Sequence, residues 1–366
     1  AGPGTRKTKT LVARAVYLLN ERKVKASEMT AVTFTKKAAE EMRIRLEAAA
    51  GGKKVINKMN IGTFHSICYQ FLKKQGLAFT TADESELFEL AQEMIRQFGL
   101  KIKPRRFLRL VSLKKTGPEQ KEDLSGDREI QKLKAAFDAY EKCLSEESLM
   151  DYDDLLTETL RLLKEERENK NRRRGFSYLL VDEFQDISPV QYELIQAWNR
   201  EGRELFAIGD PDQAIYSFRG ADAGCFERLA ADYPELRTIR LKDNYRSGPQ
   251  IVSGALAVIG KNEGIERELV PVREKGSPVR LVTASGEMAE DIFAAKEINR
   301  LVGGIDMLDI EVGLADRDEG KTRSFRDIAI LFRTHRQEEL LEKCLGKEGI
   351  PYVVAGREDF LTEESV

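Results

Sequence analysis

The stretch YLLVDEFQD, residues 178–186, decides how the rest of the chain reads. Its first four residues are apolar without alternation, as in a strand covered on both faces of a parallel sheet. The run ends in Asp182 and Glu183. Paired acids at that place form the Walker B pattern. The aspartate holds Mg²⁺, directly or through water, and the glutamate polarises an attacking water for phosphoryl transfer. Alone, the pair also fits an acidic strand-to-loop turn.

The opening residues AGPGTRKTKT, 1–10, weigh against that bland reading. A phosphate-cradling Walker A loop reads G-x-x-x-x-G-K-[ST]. Lys7 and Thr8 stand where the lysine and the Mg²⁺-binding hydroxyl belong, and Gly2, Gly4 and Thr5 supply the loop before them. The following KTKTLVARAVYLL supplies the helix whose N-terminal N–H groups and dipole face phosphates. Ala1 and Arg6 depart from the pattern at its two glycines, and by itself the loop is equally a Gly-Pro turn. A side chain at position 6 obstructs close phosphate approach, although its charge attracts phosphate. The expectation is weakened nucleotide binding, with Arg6 either blocking the cradle or swung out to pair with an acid.

Further out, short β-rich runs alternate with helical patterns. Strands are expected at 29–35, 178–183, 204–210 and 236–241, with helices between them at 36–49 and 189–199. That alternation predicts an α/β fold with a parallel sheet and helices on both faces. Residues 80–149 are charged, helically spaced and without a clear strand, and read as a helical insertion. A second α/β run has strand-like stretches at 278–284, 327–334 and 351–356, with a Gly- and charge-rich loop at 303–325.

The 366 residues are 41% hydrophobic and 33% charged, with a net charge of −2, which suits a soluble protein of two or three domains. No apolar run is long enough to span a membrane. Four scattered cysteines without a C-x-x-C pair argue against zinc or iron–sulfur ligation and for a reducing, cytoplasmic setting. Basic clusters at Lys36-Lys37, Lys53-Lys54, 101–109 and Arg172–Arg174 are as easily solvated faces as nucleic-acid contacts. The first residue is not Met, so the true N-terminus is expected upstream.

GDPDQAIYSFRGAD, 209–222, adds two features. Gln213 at a strand end suits a γ-phosphate sensor. Phe218 beside Arg219 suits stacking on a nucleobase, or equally a core ring beside a solvated cation. With this stretch in place, the chain resembles the UvrD/Rep-type superfamily 1 DNA helicases. AGPGTRKTKTL resembles their motif I, TFTKKAAEEMRIRL (33–46) motif Ia, GTFHS (62–66) motif Ib, VDEFQD (181–186) motif II, GDPDQAIYSFRGAD motif III and NYRS (244–247) motif IV. DYDDLL (151–156) is similar to the segment where their helical insertion rejoins the core, and 330–356 to the stretch before their second insertion.

The resemblance implies a P-loop NTPase with RecA-like sheets. Its first motor domain comprises 1–79 and 150–245, the helical insertion 80–149, and an incomplete second motor domain 246–366. It implies ATP and Mg²⁺ as cofactors, and single-stranded DNA and its junctions with duplex as partners. The implied activity is 3′-to-5′ translocation with duplex unwinding. It gives Phe34 and Phe218 base stacking, Thr63 and His65 the DNA backbone, Tyr245 adenine and Arg246 the γ-phosphate. Phe64 reads as core, and His65 has a merely structural alternative. The strand before motif I and the motifs after motif IV are missing, so the chain reads as a fragment. A catalytically inactive DNA-binding scaffold, favoured by Arg6, and the ATPase part of a helicase–nuclease are the other readings.

Overall fold

The computed structural model describes residues 1–117, 128–168, 176–200, 202–215, 220–222, 224–262, 267–303 and 323–354. The chain divides into two compact units, Ala1–Ser277 and Pro278–Val366. Residues 246–277 therefore group with the first.

The first unit carries strands β1 (Met29–Thr33), β2 (Asn60–Thr63), β3 (Thr80–Thr81), β4 (Leu149–Met150), β5 (Tyr178–Val181), β6 (Glu204–Ala207), β7 (Asp243–Asn244) and β8 (Val270–Pro271). Its helices are α1 (Lys7–Asn20), α2 (Lys36–Ala49), α3 (Lys53–Ile56), α4 (Phe64–Lys74), α5 (Glu84–Gln97), α6 (Pro104–Thr116), α7 (Arg128–Glu146), α8 (Tyr152–Glu168), α9 (Pro189–Asn199), α10 (Cys225–Asp232) and α11 (Pro249–Ile259). The main sheet is parallel throughout, in the order β2-β1-β5-β6. Ala31 lies opposite Ile61 on one side and Leu180 on the other, and Val181 lies opposite Ala207. Parallel neighbours need long crossovers, so helices separate successive strands.

Alternating side chains bury both faces of the sheet. Ala31 and Leu180 meet Leu11 and Ala15 of α1 and Met42 and Leu46 of α2. Val32, Leu179 and Val181 meet Ile67 and Leu72 of α4, Leu156 and Leu160 of α8, and Ile195 and Trp198 of α9. The doubly covered parallel sheet expected from the sequence is present, and α2 and α9 have the expected bounds. The caps are local: Thr35 accepts the Ala38 N–H at 3.1 Å, and Ser188 and Gln191 form a capping box on α9.

Helices α5, α6 and α7 bury a core of their own, with Met94, Phe107, Val111, Phe137 and Tyr140 at its centre. The sequence reading saw no strand in 80–149. In fact Thr80 and Thr81 pair in parallel with Leu149 and Met150 at the two ends of this segment. Two residues are too few to leave a periodic signal. Lys115 of α6 ties these helices to α8, its Nζ 2.8 Å from Asp151 and 2.6 Å from Asp154.

The strand expected at 236–241 does not form. These residues are largely solvent-facing, with Ile239 65% exposed, and among the described residues they pair with no strand. The short β7 follows instead and pairs with β8. In the second unit, α12 (Glu287–Leu301) and α13 (His335–Lys347) pack through Ala295, Ile298, Leu341 and Leu345, joined by Ile350. The expected strands at 278–284 and 327–334, and the described part of 351–356, are absent. Leu281, Leu331 and Val353 are each more than 90% exposed. β-propensity alone does not make a strand without a neighbouring backbone to pair with, and among the described residues none aligns with these stretches. The loop expected at 303–325 lies mostly outside the described residues.

Candidate functional site

The opening loop enters α1 through two left-handed residues, Gly4 with φ 73° and Arg6 with φ 63° and ψ 39°. That backbone costs a residue with a Cβ about 1–2 kcal/mol, which is why glycine suits position 6. The chain keeps this conformation in spite of Arg6. The Thr5 hydroxyl donates to the Gly2 carbonyl at 2.7 Å. The N-cap side chain, Arg6, makes no cap bond to α1 and no acid lies in its first turn, which leaves leading N–H groups to an anion. Thr8 is half-buried in that turn.

Lys7 points from α1 into a polar chain of contacts. Its Nζ lies 3.4 Å from Gln213 Oε1 and 4.0 Å from Asp210 Oδ2. Gln213 Nε2 donates to Asp210 at 2.7 Å, and the Asp210 N–H donates to Gln185 Oε1 at 2.9 Å. Gln185 Nε2 in turn donates to Glu183 at 3.0 Å and to Asp186 at 3.2 Å. The loop, the end of β5 and the end of β6 are thus one connected site, at the carboxyl ends of the strands where parallel sheets bind ligands.

The electrostatics suit a cation. Asp182 is only 4% exposed, and burial, then the neighbouring Glu183 charge, push its carboxyl up to about 6. Burial and Glu183 also push Asp186 up to about 6, and burial raises Asp210 while Lys7 opposes the rise. Among the described residues no three His, Cys, Asp or Glu side chains cluster as a metal cage. Mg²⁺ needs only one or two carboxylates when phosphate oxygens complete its shell, so Asp182 and Thr8 fit it.

The NYRS stretch packs on the glycine loop. Asn244 is buried. Its amide donates to the Pro3 carbonyl at 2.8 Å and its Oδ1 accepts the N–H groups of Arg246 at 3.0 Å and Ser247 at 2.8 Å. The Tyr245 N–H donates to the Gly4 carbonyl at 3.0 Å. A Cβ at Gly4 would stand 2.7 Å from the Arg246 Cβ, and one at Gly2 would stand 2.5 Å from Leu269. Gly4, with its left-handed φ and the Arg246 Cβ so near, excludes a larger residue, whereas at Gly2 the end of the Leu269 side chain would have to move. Arg246 itself is exposed.

Arg6 adopts neither expected arrangement. It is exposed, and its Cζ stands 3.7 Å from the centroid of the Tyr245 ring. The clamp by Asn244 brings that ring to the loop, and a guanidinium gains about 0.5–1 kcal/mol on an exposed aromatic face. The pair lies on the wall of a cavity of about 570 Å³ that Lys9, Arg240 and Lys242 also line.

A second cavity, about 530 Å³, opens between the ends of β1, β2 and β5 and helix α6. Phe34 and His65 line it, with Arg109, Ser112, Asp153 and Asp186. Phe34 is half-buried, whereas Phe64 is core, stacked 5.8 Å from Trp198. The His65 ring meets Tyr152 edge-on at 5.7 Å, and burial lowers its pKa, favouring the neutral ring. Thr63 is buried and its hydroxyl accepts the Ser66 N–H at 3.2 Å, capping α4. Phe218 and Arg219 lie outside the described residues. The sequence reading missed Asn244, Asp210 and Gln185. They lie inside NYRS, GDPDQAIYSFRGAD and VDEFQD, but no residue-type rule marks an amide or acid that acts by bridging motifs.

The family model described as UvrD/REP helicase N-terminal domain matches residues 1–234, and that described as UvrD-like helicase C-terminal domain matches residues 239–366. The ATP-dependent DNA helicase UvrD1 of Mycobacterium tuberculosis is 34% identical over 391 residues, covering 100% of this chain and 48% of that protein. The ATP-dependent DNA helicase PcrA of Staphylococcus aureus is 31% identical over 382 residues, covering 100% of this chain and 50% of that protein. The chain spans about half the length of the curated relatives it matches. Among the described residues no helix is long and apolar enough to cross a membrane.

Proposed function

The chain belongs to the UvrD/REP helicase family, and from that premise we propose that it is the motor part of an ATP-dependent helicase moving 3′-to-5′ on single-stranded DNA and through its junctions with duplex. One observation carries the proposal: four separated stretches, 1–8, 182–186, 209–213 and 244–246, converge on one uncapped helix N-terminus through named hydrogen bonds. A solvated turn at 1–8 would need no such convergence. The domain division is part of the same proposal, with 1–79 and 150–245 forming the first motor domain, 80–149 the insertion and 246–366 part of the second.

In this reading Lys7 and the first N–H groups of α1 hold the nucleotide phosphates, and Tyr245 stacks on the base. Asp182 and Thr8 hold Mg²⁺, which supplies charge neutralisation at the phosphates when bound. Glu183 orients and polarises the attacking water, Gln213 reports the γ-phosphate through Lys7, and Arg246 stabilises the charge that develops there. Phe34 stacks on single-stranded bases in the second cavity, assisted by Phe218 and Arg219, while His65, Thr63 and Arg109 meet the backbone. Arg6 lowers nucleotide affinity. The left-handed loop that survives around it supports a working motor over an inactive scaffold.

The test is hydrolysis by the complete gene product. Single-stranded DNA should stimulate ATP hydrolysis, and Glu183→Gln should cut the rate by about 10²–10⁴ while nucleotide still binds. Duplexes with a 3′ tail should be unwound and those with a 5′ tail left intact. Stimulated hydrolysis that survives Glu183→Gln would refute the assignment.

A further inference from the structure

Position 6 differs from the phosphate-loop pattern, yet the loop around it does not. Arg6 takes the left-handed backbone that glycine would take, the Thr10 N–H donates to the Arg6 carbonyl at 3.0 Å, and Lys7 still reaches Gln213. The side chain therefore leaves the cradle's backbone intact. What it covers instead is Tyr245, with the guanidinium carbon 3.7 Å from the ring centroid. The nearby acid, Asp243, is engaged by the Tyr245 hydroxyl at 3.4 Å.

Resting on the nucleotide-site reading above, we propose that Arg6 is a built-in occupant of the base-stacking face of Tyr245, competing with the base of a nucleotide and leaving its phosphates unhindered. The planar guanidinium takes the place of the planar base on the ring. Displacing it forfeits a cation–π contact, so each base meets a penalty that a bare polyphosphate does not. Arg6 then sets how much of the affinity comes from the base. In this chain the phosphate end, held by Lys7 and the helix, dominates recognition. Lys9, Arg240 and Lys242 line the same cavity, and the acid beside them, Asp243, already accepts the Tyr245 hydroxyl.

The experiment titrates the 366-residue chain with Mg²⁺–ATP and, separately, Mg²⁺–tripolyphosphate, by calorimetry. The variants are Arg6→Ala, Tyr245→Ala, the double variant and Lys7→Ala. Alanine is used because it keeps a Cβ on the left-handed backbone, so the change is confined to the side chain beyond Cβ. Arg6→Ala should tighten ATP by about fivefold and leave tripolyphosphate unchanged. In the Tyr245→Ala background, Arg6→Ala should no longer tighten ATP. Equal tightening of both probes would overturn the proposal in favour of obstruction at the phosphates, and unchanged or weaker ATP binding would overturn it by showing no competition. In both those outcomes, loss of binding in Lys7→Ala keeps the nucleotide-site reading standing. If no probe binds, or Lys7→Ala changes nothing, that reading fails and the proposal falls with it. The fluorescence of Trp198, the single tryptophan and buried in the core, verifies folding of each variant.

Discussion

Replacing Lys115 by Met should loosen the helical insertion from the motor core in a pH-dependent way. The Lys115 side chain is 6% exposed and bonds both Asp151 and Asp154. Tyr140 also donates to Asp151, at 3.2 Å. Burial alone would lower the lysine pKa, but the two carboxylates outweigh it and hold the ammonium charged. Met fills much the same volume, so the main loss is charge. Breaking a buried pair on one side costs about 3–5 kcal/mol. Asp154 already has a raised pKa through burial and the Asp151 charge, and loss of Lys115 raises it further. A carboxyl with a folded pKa above its unfolded value contributes stability below the unfolded value and loses it as pH rises through the folded one. The defect should therefore be full at pH 8 and shrink towards pH 5 as the carboxyl takes up a proton. Urea unfolding followed by Trp198 fluorescence reads it, because α8 shares the Trp198 core. A defect under about 1 kcal/mol at pH 8, or one equal at both pH values, would refute the reasoning.

Other consequences are equally checkable. Asn244→Ala removes three part-buried hydrogen bonds and should cost about 2–4 kcal/mol, with faster amide exchange at Tyr245; unchanged exchange would mean that Asn244 does not hold the loop. Asp182→Asn should stabilise the nucleotide-free protein by up to about 3 kcal/mol at pH 8 and by nothing near pH 4, since the raised carboxyl is stabilising only when protonated. A lower melting temperature at pH 8 would contradict this. The same titration predicts that Mg²⁺–nucleotide affinity falls as pH drops below about 6, where Asp182 takes up a proton. Phe34→Ala should weaken binding of a labelled oligothymidylate by about 1–3 kcal/mol in anisotropy titrations; unaltered affinity would remove Phe34 from the DNA surface.

The parallel sheet was legible because its strands are buried on both faces, which leaves unbroken apolar runs such as Leu179–Val181 between helical patterns. The site acids and Lys7 were legible because phosphate chemistry demands those types at strand ends and helix starts. The stretches 236–241, 278–284 and 327–334 are also rich in β-formers and are not strands. Pattern reports propensity, whereas pairing depends on a distant backbone that no local window contains. Asn244 and Gln185 escaped for a related reason: an amide that bridges two motifs has no periodicity and no titration. Arg6 was recognised as a departure, but its place on Tyr245 depends on two residues separated by most of the first unit.

A crystal structure of the chain with Mg²⁺ and a non-hydrolysable ATP analogue tests the central claim most directly. The account predicts phosphates at the N-terminus of α1 against Lys7, the metal between Thr8 and Asp182, and the base on Tyr245 with Arg6 displaced. A nucleotide bound elsewhere, with the loop and Asp182 unengaged, would contradict it.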